Sequence, residues 1–261
     1  MSEIQSFLNI VNLTKKFGGL IAVSNFDLSV HENEIVSIIG PNGAGKTTIF
    51  NLISCFYKPD DGDIFFMGNS IKNLSPYQIC GLGINRSFQT TRLFKHLSVL
   101  ENLKVGTHTR MNYRFLDELL KTEKLKQTEK AIEKVSFDLL KEFSLGKFAD
   151  EMAGNLPYGT QRLVEILRSL NASPRLLMLD EPAAGMNPHE AIDLMEIVKK
   201  IRDRGITVLL VEHNMDVAME ISDRIVVLNY GKKIAEGFAD EIQKNPEVIN
   251  AYLGKDVEDN T

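Results

Sequence analysis

The chain has 261 residues, of which 43% are hydrophobic and 25% charged, and its formal net charge is −5 at pH 7. This composition is ordinary for a globular protein and suffices for one large α/β domain or two small ones. The acidic balance argues against general nucleic-acid binding, which needs a clustered basic face. Two cysteines, Cys55 and Cys80, are too few for a disulfide framework, so we expect a reducing cytosol.

The sequence also carries no pattern of its own for entering a membrane. The N-terminal residues lack the charged-then-apolar pattern of a secretory signal. No apolar run approaches the roughly 18 residues that a bilayer-spanning helix needs. If the protein serves a membrane, we therefore expect it to do so through a partner.

The first ninety residues are typical of β-structure interrupted by one helix. A helix is predicted over residues 46–56. Short apolar or alternating runs predict strands over residues 7–17, 21–30, 34–40, 62–68 and 83–89.

The middle of the chain changes to helical character. Residues 98–105 predict a helix, and residues 114–145 form a long, charged, amphipathic run with few turn signals before Gly146. The charge pattern favours a solvated helix pair. We therefore expect a helical subdomain, about 95–172, inserted between two parts of a β-containing core.

After Asn155 helices and strands alternate again. Helices are predicted over residues 159–172, 188–203 and 214–221, and strands over residues 175–180, 206–212 and 224–230. The runs LLMLD and ITVLLVE are apolar throughout, as in strands buried on both faces of a parallel sheet. The C-terminal region, about 238–254, predicts two short helices over 240–254 that are split at Pro246.

The strongest motif follows the third predicted strand. Gly40, Gly45, Lys46 and Thr47 fit the pattern G-x-x-x-x-G-K-[ST], with an apolar strand before it and a helical pattern after it. Glycines let the backbone wrap a phosphate with its N–H groups. The lysine neutralises charge on the β- and γ-phosphates, and the threonine hydroxyl ligates Mg²⁺.

A matching acidic pair closes the predicted strand 175–180. Asp180 ends an apolar run, where a carboxylate is costly unless it acts on a cation. We expect it to reach Mg²⁺ through water. Glu181 follows directly and can act as general base for an attacking water near the γ-phosphate.

The stretch NLPYGTQRLVEI, residues 155–166, predicts a helix that starts at Pro157. Its first turn presents bare backbone N–H groups, which suit an anion, yet no lysine follows to hold a phosphate. Gln89 and His213 each end a predicted strand, and each is a weak signal alone.

The order of these elements resembles the nucleotide-binding domain of ATP-binding cassette (ABC) transporters along nearly the whole chain. GPNGAGKTT matches that family's phosphate loop, LPYGTQ (156–161) its signature, LLMLDEP its magnesium strand and AAGMNP (183–188) its D-loop. The resemblance implies one ABC ATPase domain over residues 1–261. Its α/β fold would be that of a P-loop NTPase, with a parallel-sheet core, an antiparallel β subdomain and a helical signature subdomain.

The resemblance also implies roles for individual residues, with ATP and Mg²⁺ as cofactors. Contacts to ATP fall on Phe17, which would stack on adenine, and on Gly40, Pro41, Asn42, Gly43, Ala44, Gly45, Lys46, Thr47 and Thr48. Catalytic roles fall on Glu181, His213, Gln89 and Lys46, and magnesium ligation falls on Thr47, Gln89 and Asp180. The signature residues that face a partner's ATP are Pro157, Tyr158, Gly159, Thr160 and Gln161, and Asn187 lies in the D-loop.

Two positions depart from the wider family's pattern. Pro157 stands where the signature usually has serine, which removes a hydroxyl contact to the partner's γ-phosphate. Asn187 stands where the D-loop usually has aspartate. Both departures are also typical of the subgroup that the chain most resembles.

That subgroup is the ATP-binding subunit of branched-chain amino-acid importers. NRSFQTTRLFKHLSVLENL, VEHNMDV and the C-terminal NPEVINAYLG carry the finer resemblance. It implies two transmembrane permease subunits, a second ATP-binding subunit (the same chain or a different one) and, indirectly, a periplasmic or extracellular substrate-binding protein. It places the chain peripherally on the cytoplasmic face of the inner membrane, with a coupling surface at residues 85–105 and the neighbouring helical insertion.

Other systems remain open at this point. Related subunits serve urea import and lipopolysaccharide export. A soluble ABC ATPase acting on nucleic acid or ribosomes is a different class. It is disfavoured by the single cassette, by the acidic charge and by the short segment of about 70 residues between Gln89 and Gly159.

Overall fold

The computed structural model describes residues 7–87, 92–107 and 123–253. The strands are β1 (Leu8–Phe17), β2 (Leu20–Val30), β3 (Ile35–Ile39), β4 (Asp61–Phe66), β5 (Asn69–Ser70), β6 (Ile84–Arg86), β7 (Leu176–Asp180), β8 (Thr207–Val211), β9 (Arg224–Asn229) and β10 (Lys232–Gly237). The helices are α1 (Lys46–Ile53), α2 (Pro76–Leu82), α3 (Val99–Gly106), α4 (Glu123–Glu142), α5 (Tyr158–Asn171), α6 (Pro188–Asp203), α7 (Met215–Ile221), α8 (Ala239–Gln243) and α9 (Pro246–Leu253).

The chain divides into two compact units. Within the described residues, the first unit comprises 7–86 and 175–253, and the second comprises 87, 92–107 and 123–174. The interpretation of the whole chain as one domain with an inserted subdomain stays a prediction.

A six-stranded sheet forms the centre of the first unit. Its order is β10-β9-β3-β8-β7-β6, and every neighbouring pair is parallel except β9 with β10. Every residue of β3, β7 and β8 is buried, as the apolar runs predicted for β7 and β8. Because parallel strands end at the same edge, this register brings the loops after β3, β7 and β8 together.

A second, antiparallel sheet in the same unit has the order β2-β1-β4-β5. Alternate residues along β2, such as Phe26 and Leu28, are buried while their neighbours are exposed, which is the pattern of a sheet covered on one face. Phe7 and Phe66 pack edge to face with their ring centroids 4.9 Å apart. The sheet places Phe17 at the end of β1, next to the turn into β2.

The second unit is helical among its described residues. Helix α5 packs against α3 and α4, and Asn171 donates to Leu103 O and Ser136 Oγ, both at 2.9 Å. Arg162 and Glu165, one turn apart on α5, form a fully buried ion pair at 2.8 Å. The two hydrogen bonds of Asn171 join α5 to α3 and α4, whereas the ion pair lies within α5.

The structure differs from the sequence prediction at several elements. Helix α2 was not predicted, although Ser75 and Gln78 form a capping box around Pro76 at its start. Strand β10 was also missed. The strand predicted over 83–89 ends at Arg86, and Gln89 lies outside the described residues. None of the described helices has the length and apolar character needed to cross a membrane.

Candidate functional site

The glycine-rich loop joins the end of β3 to the start of α1, as the motif predicted. Gly45 has φ 103°, and a Cβ on it would lie 2.5 Å from the carbonyl oxygen of Ala22, so only glycine fits. Gly43 has φ 79°, but a Cβ there would meet no atom within 4 Å. The loop is thus packed tightly against β2 on one side and presents bare backbone on the other, as a phosphate-binding loop requires.

Lys46 is folded back over this loop. It is only 6% exposed, and its Nζ donates to the carbonyl oxygens of Gly40 at 2.6 Å and Pro41 at 3.1 Å. The ammonium group therefore lies against the loop backbone rather than in bulk water. A cation in that position complements a phosphate bound by the loop N–H groups.

The loop forms one wall of a cavity of about 500 Å³. The residues that line it are Phe17, Leu20, Ile21, Ala22, Asn42, Gly43, Ala44, Gly45, Lys46, Thr47, Thr48, Glu181, Tyr230 and Gly231. Phe17 is 42% exposed and packs edge to face on Tyr57, with centroids 5.3 Å apart. The cavity therefore combines an apolar, aromatic part with a polar part built from the loop, which suits a nucleotide.

Asp180 ends β7 and is buried, at 1% exposure. Its Oδ2 accepts a hydrogen bond from the Arg86 guanidinium at 2.6 Å, and the same guanidinium donates to Asn51 Oδ1 at 2.7 Å and Ser54 Oγ at 3.2 Å. The sequence predicted a cation for Asp180 but missed Arg86. A basic residue in the middle of the predicted strand 83–89 was the signal that could have indicated it.

Glu181 and His213 come together at the ends of β7 and β8. His213 Nδ1 lies 3.7 Å from Glu181 Oε2, and the Glu181 N–H donates to Val211 O at 2.9 Å. Glu181 has φ 45°, an uncommon conformation for a non-glycine residue. Because Glu181 also lines the cavity, a carboxylate and an imidazole are available beside the loop for proton transfer.

Glu212 is a buried acid that the sequence analysis did not single out. It is fully buried and accepts hydrogen bonds from the N–H groups of Ala183 at 2.9 Å and Asn214 at 3.5 Å. Burial raises its pKa, against the lowering effect of these hydrogen bonds. It ties the turn after Glu181 to the turn after His213. The acid that ends the otherwise apolar run before His213 was the available signal.

The signature residues lie in the second unit, at the start of α5. Pro157 occupies the N-cap position and makes no side-chain cap hydrogen bond to the first turn of the helix. Gly159 is buried, and Gln161 Nε2 donates to Leu156 O at 2.8 Å. The predicted helix start is confirmed, and its N-cap residue does not cap the first-turn N–H groups.

Asn187 is the N-cap residue of α6. Its side chain accepts from the Glu190 N–H at 3.0 Å, and the Glu190 carboxylate accepts from the Asn187 N–H at 3.0 Å. This capping box satisfies backbone N–H groups at the N-terminus of α6. The D-loop role of Asn187 stays a prediction.

The glycine loop joins a buried parallel strand to a helix, and another strand of the same sheet, two positions away, ends in a buried acid. Together these features define a phosphate-loop nucleotide-binding protein. Comparison with known proteins identifies the family. The family model described as ABC transporter matches residues 23–184, and that described as Branched-chain amino acid ATP-binding cassette transporter matches residues 232–258. The chain belongs to the ABC transporter family, as one of its ATP-hydrolysing cassettes.

Curated relatives align over nearly the whole chain. The high-affinity branched-chain amino acid transport ATP-binding protein BraF of Pseudomonas aeruginosa is 46% identical over 95% of this chain and 98% of its own length. The corresponding protein LivG of Escherichia coli is 43% identical over 96% of this chain and 99% of its own. The resemblance inferred from the motifs is thereby confirmed.

Solved structures confirm the predicted α/β class. The ADP conformation of MJ1267, an ATP-binding cassette of an ABC transporter, is 32% identical with a TM-score of 0.83, over 96% of this chain and 99% of that one. A dimeric structure of the ATP-binding cassette MJ0796 bound to ADP and Pi is 27% identical with a TM-score of 0.73, over 89% and 98%.

Proposed function

We propose that this chain binds and hydrolyses ATP to power the import of branched-chain amino acids. The observation that carries the catalytic part is the placement of Glu181, which lines the same cavity as the glycine loop and lies 3.7 Å from His213. The substrate class rests on the names of relatives that align over nearly their full length and on the match at residues 232–258.

The charges in the site support a division of roles. The loop N–H groups and Lys46 hold the phosphates and neutralise charge that develops on the transferred phosphoryl group. Glu181 accepts the proton of the attacking water, and His213 contacts the γ-phosphate and helps to position that water. Phe17 stacks on the adenine. Gln89, outside the described residues, would contact the attacking water.

The oxygen donors at the edge of the sheet fit Mg²⁺. Asp180 supplies a carboxylate at the end of β7, Thr47 supplies a hydroxyl in the first turn of α1, and we assign Gln89 as a further ligand. In the described parts of the chain, no group of three or more His, Cys, Asp or Glu side chains is arranged to hold a metal. A site with one carboxylate among its protein ligands agrees with Mg²⁺, which is usually bound by one or two carboxylates together with phosphates and water. When bound, the ion neutralises charge on the β- and γ-phosphates.

A second cassette would complete each site. Helix α5 begins without a side-chain cap, so its first-turn N–H groups suit an anion that comes from another molecule. We assign residues 157–161 to contact with the γ-phosphate of an ATP that the partner cassette holds. The lysine in the partner's phosphate loop supplies the positive charge for that phosphate. ATP then lies in the interface, and its binding stabilises the closed pair. The remaining partners are two membrane permeases and, indirectly, a substrate-binding protein, with the chain on the cytoplasmic face of the membrane.

Uptake by cells that lack this chain tests the proposal. Loss of radiolabelled leucine, isoleucine and valine uptake is expected, with rescue by the wild-type chain and none by the Glu181→Gln variant. Urea uptake, measured in parallel, is expected to be unaffected. Normal uptake of all three amino acids in the deletion strain, or loss of urea uptake alone, would contradict the assignment.

A further inference from the structure

The turn between β9 and β10 carries a residue that its backbone disfavours. Tyr230 and Gly231 are the two loop residues, because Asn229 pairs with Lys232 across the hairpin. Their φ angles are 44° and 75°. Two-residue hairpins of type I′ require positive φ at both positions and therefore prefer asparagine, aspartate or glycine at the first. A tyrosine there is conformationally strained. Residues held in strained backbone conformations cluster at active sites and ligand-binding sites.

The turn is anchored to the glycine loop. The Gly231 N–H donates to Ala44 O at 2.9 Å, and the Gly231 carbonyl accepts from the Ser24 N–H at 2.8 Å. A Cβ on Gly231 would lie 2.7 Å from Ala22 O, so β2 packs directly on the turn. These contacts hold the backbone of Tyr230 at a defined place beside the loop.

Tyr230 borders the same cavity as the loop. The residue is 75% exposed and lines the cavity together with Phe17, Leu20 and Ile21, which form the apolar part. A large aromatic side chain left in solvent, at a position that costs backbone strain and beside a preformed ligand cavity, is typical of a residue that binds the ligand.

We propose that Tyr230 is a nucleotide-binding residue whose ring contacts the nucleobase, as a second aromatic contact in addition to Phe17. This inference rests on the proposed nucleotide site. Aromatic rings stack on bases without needing a hydrogen bond, so the ring carries the contact and the hydroxyl is dispensable. The Tyr230→Phe variant should therefore bind ADP like the wild type.

The Tyr230→Asn variant separates binding from folding. Asparagine followed by Gly231 is a preferred sequence for this turn, so the thermal midpoint should be unchanged or higher. Loss of one base–aromatic contact should weaken ADP binding about tenfold in calorimetry. Binding of inorganic triphosphate, which has no base, should be unchanged. Tyr77→Asn is the matched control, since Tyr77 is 76% exposed on α2 and is not among the residues that line the cavity.

Lys46→Ala, measured with the same two ligands, distinguishes failure of this inference from failure of the site. Suppose that Lys46→Ala weakens the binding of both ADP and triphosphate, while Tyr230→Asn binds ADP like the wild type. The Tyr230 assignment is then overturned and the nucleotide site stands. Equal weakening of ADP and triphosphate by Tyr230→Asn also overturns the base contact. If Lys46→Ala binds both ligands normally, the proposed site itself is wrong.

Discussion

Arg86 links three elements of the first unit, and its removal should destabilise the protein strongly. Its guanidinium contacts Asp180, Asn51 and Ser54, and its side chain is 11% exposed. In an Arg86→Met variant, Asp180, with a side chain only 2% exposed, loses this buried counter-charge. Breaking a buried ion pair by removing one partner costs about 3–5 kcal/mol, because the remaining charge is not solvated. For a chain of this size, that corresponds to a fall in Tm of roughly 10 °C.

Chemical unfolding measures this loss directly. Because the chain contains no tryptophan, unfolding in urea is best followed by far-UV circular dichroism, in EDTA and without nucleotide. Lys199→Met is the matched control: Lys199 pairs with Glu220 at 3.1 Å, but the two side chains are 40% and 62% exposed. Loss of such a surface pair should cost less than about 1 kcal/mol.

A double-mutant cycle with Asp180→Asn isolates the pair itself. The double variant should be more stable than the sum of the two single losses predicts, because either single change already removes the ion pair and the second cannot remove it again. Two results would refute the reasoning: an Arg86→Met variant within about 1 kcal/mol of the wild type, or additive losses in the cycle.

Three further predictions concern the site and its surroundings. Glu181→Gln should abolish ATP turnover, measured as phosphate release, while ATP binding persists and a closed dimer becomes detectable by gel filtration; near-normal hydrolysis would contradict its role as base. Gly159→Asp should prevent ATP-dependent dimerisation while calorimetry shows unchanged ATP binding by the monomer, and a dimer formed at normal ATP concentration would rule out its contact with the partner's nucleotide. The raised pKa of buried Glu212 means that the folded state holds a proton more tightly than the unfolded state. Its contribution to the free energy of unfolding is thus fully present below the ordinary pKa of 4.5 and is lost as pH rises through the raised value. Urea unfolding against pH should show Glu212→Gln gaining stability relative to the wild type across that window, and parallel pH profiles would show that the shift is absent.

The local elements of the site could be predicted because their signals are local. The run IVSII before GPNGAGKT indicated a buried strand and a phosphate loop, and both are present as β3 and the turn into α1. Pro157 indicated the start of α5 for the same reason, since proline is tolerated in the first turn of a helix and excluded from its interior. The family followed from the order of such motifs along the chain.

What the sequence by itself determined, then, were the strand and helix types, the phosphate loop and the family. The tertiary structure decided which distant residues meet. Arg86 and Asp180 are 94 positions apart and pair because β6 lies beside β7. Tyr230 reaches the phosphate loop because Gly231 is hydrogen-bonded to Ala44. The physical reason is that periodicity and turn preferences act between neighbours in the chain, whereas strand order and backbone anchoring are settled only when the sheet assembles.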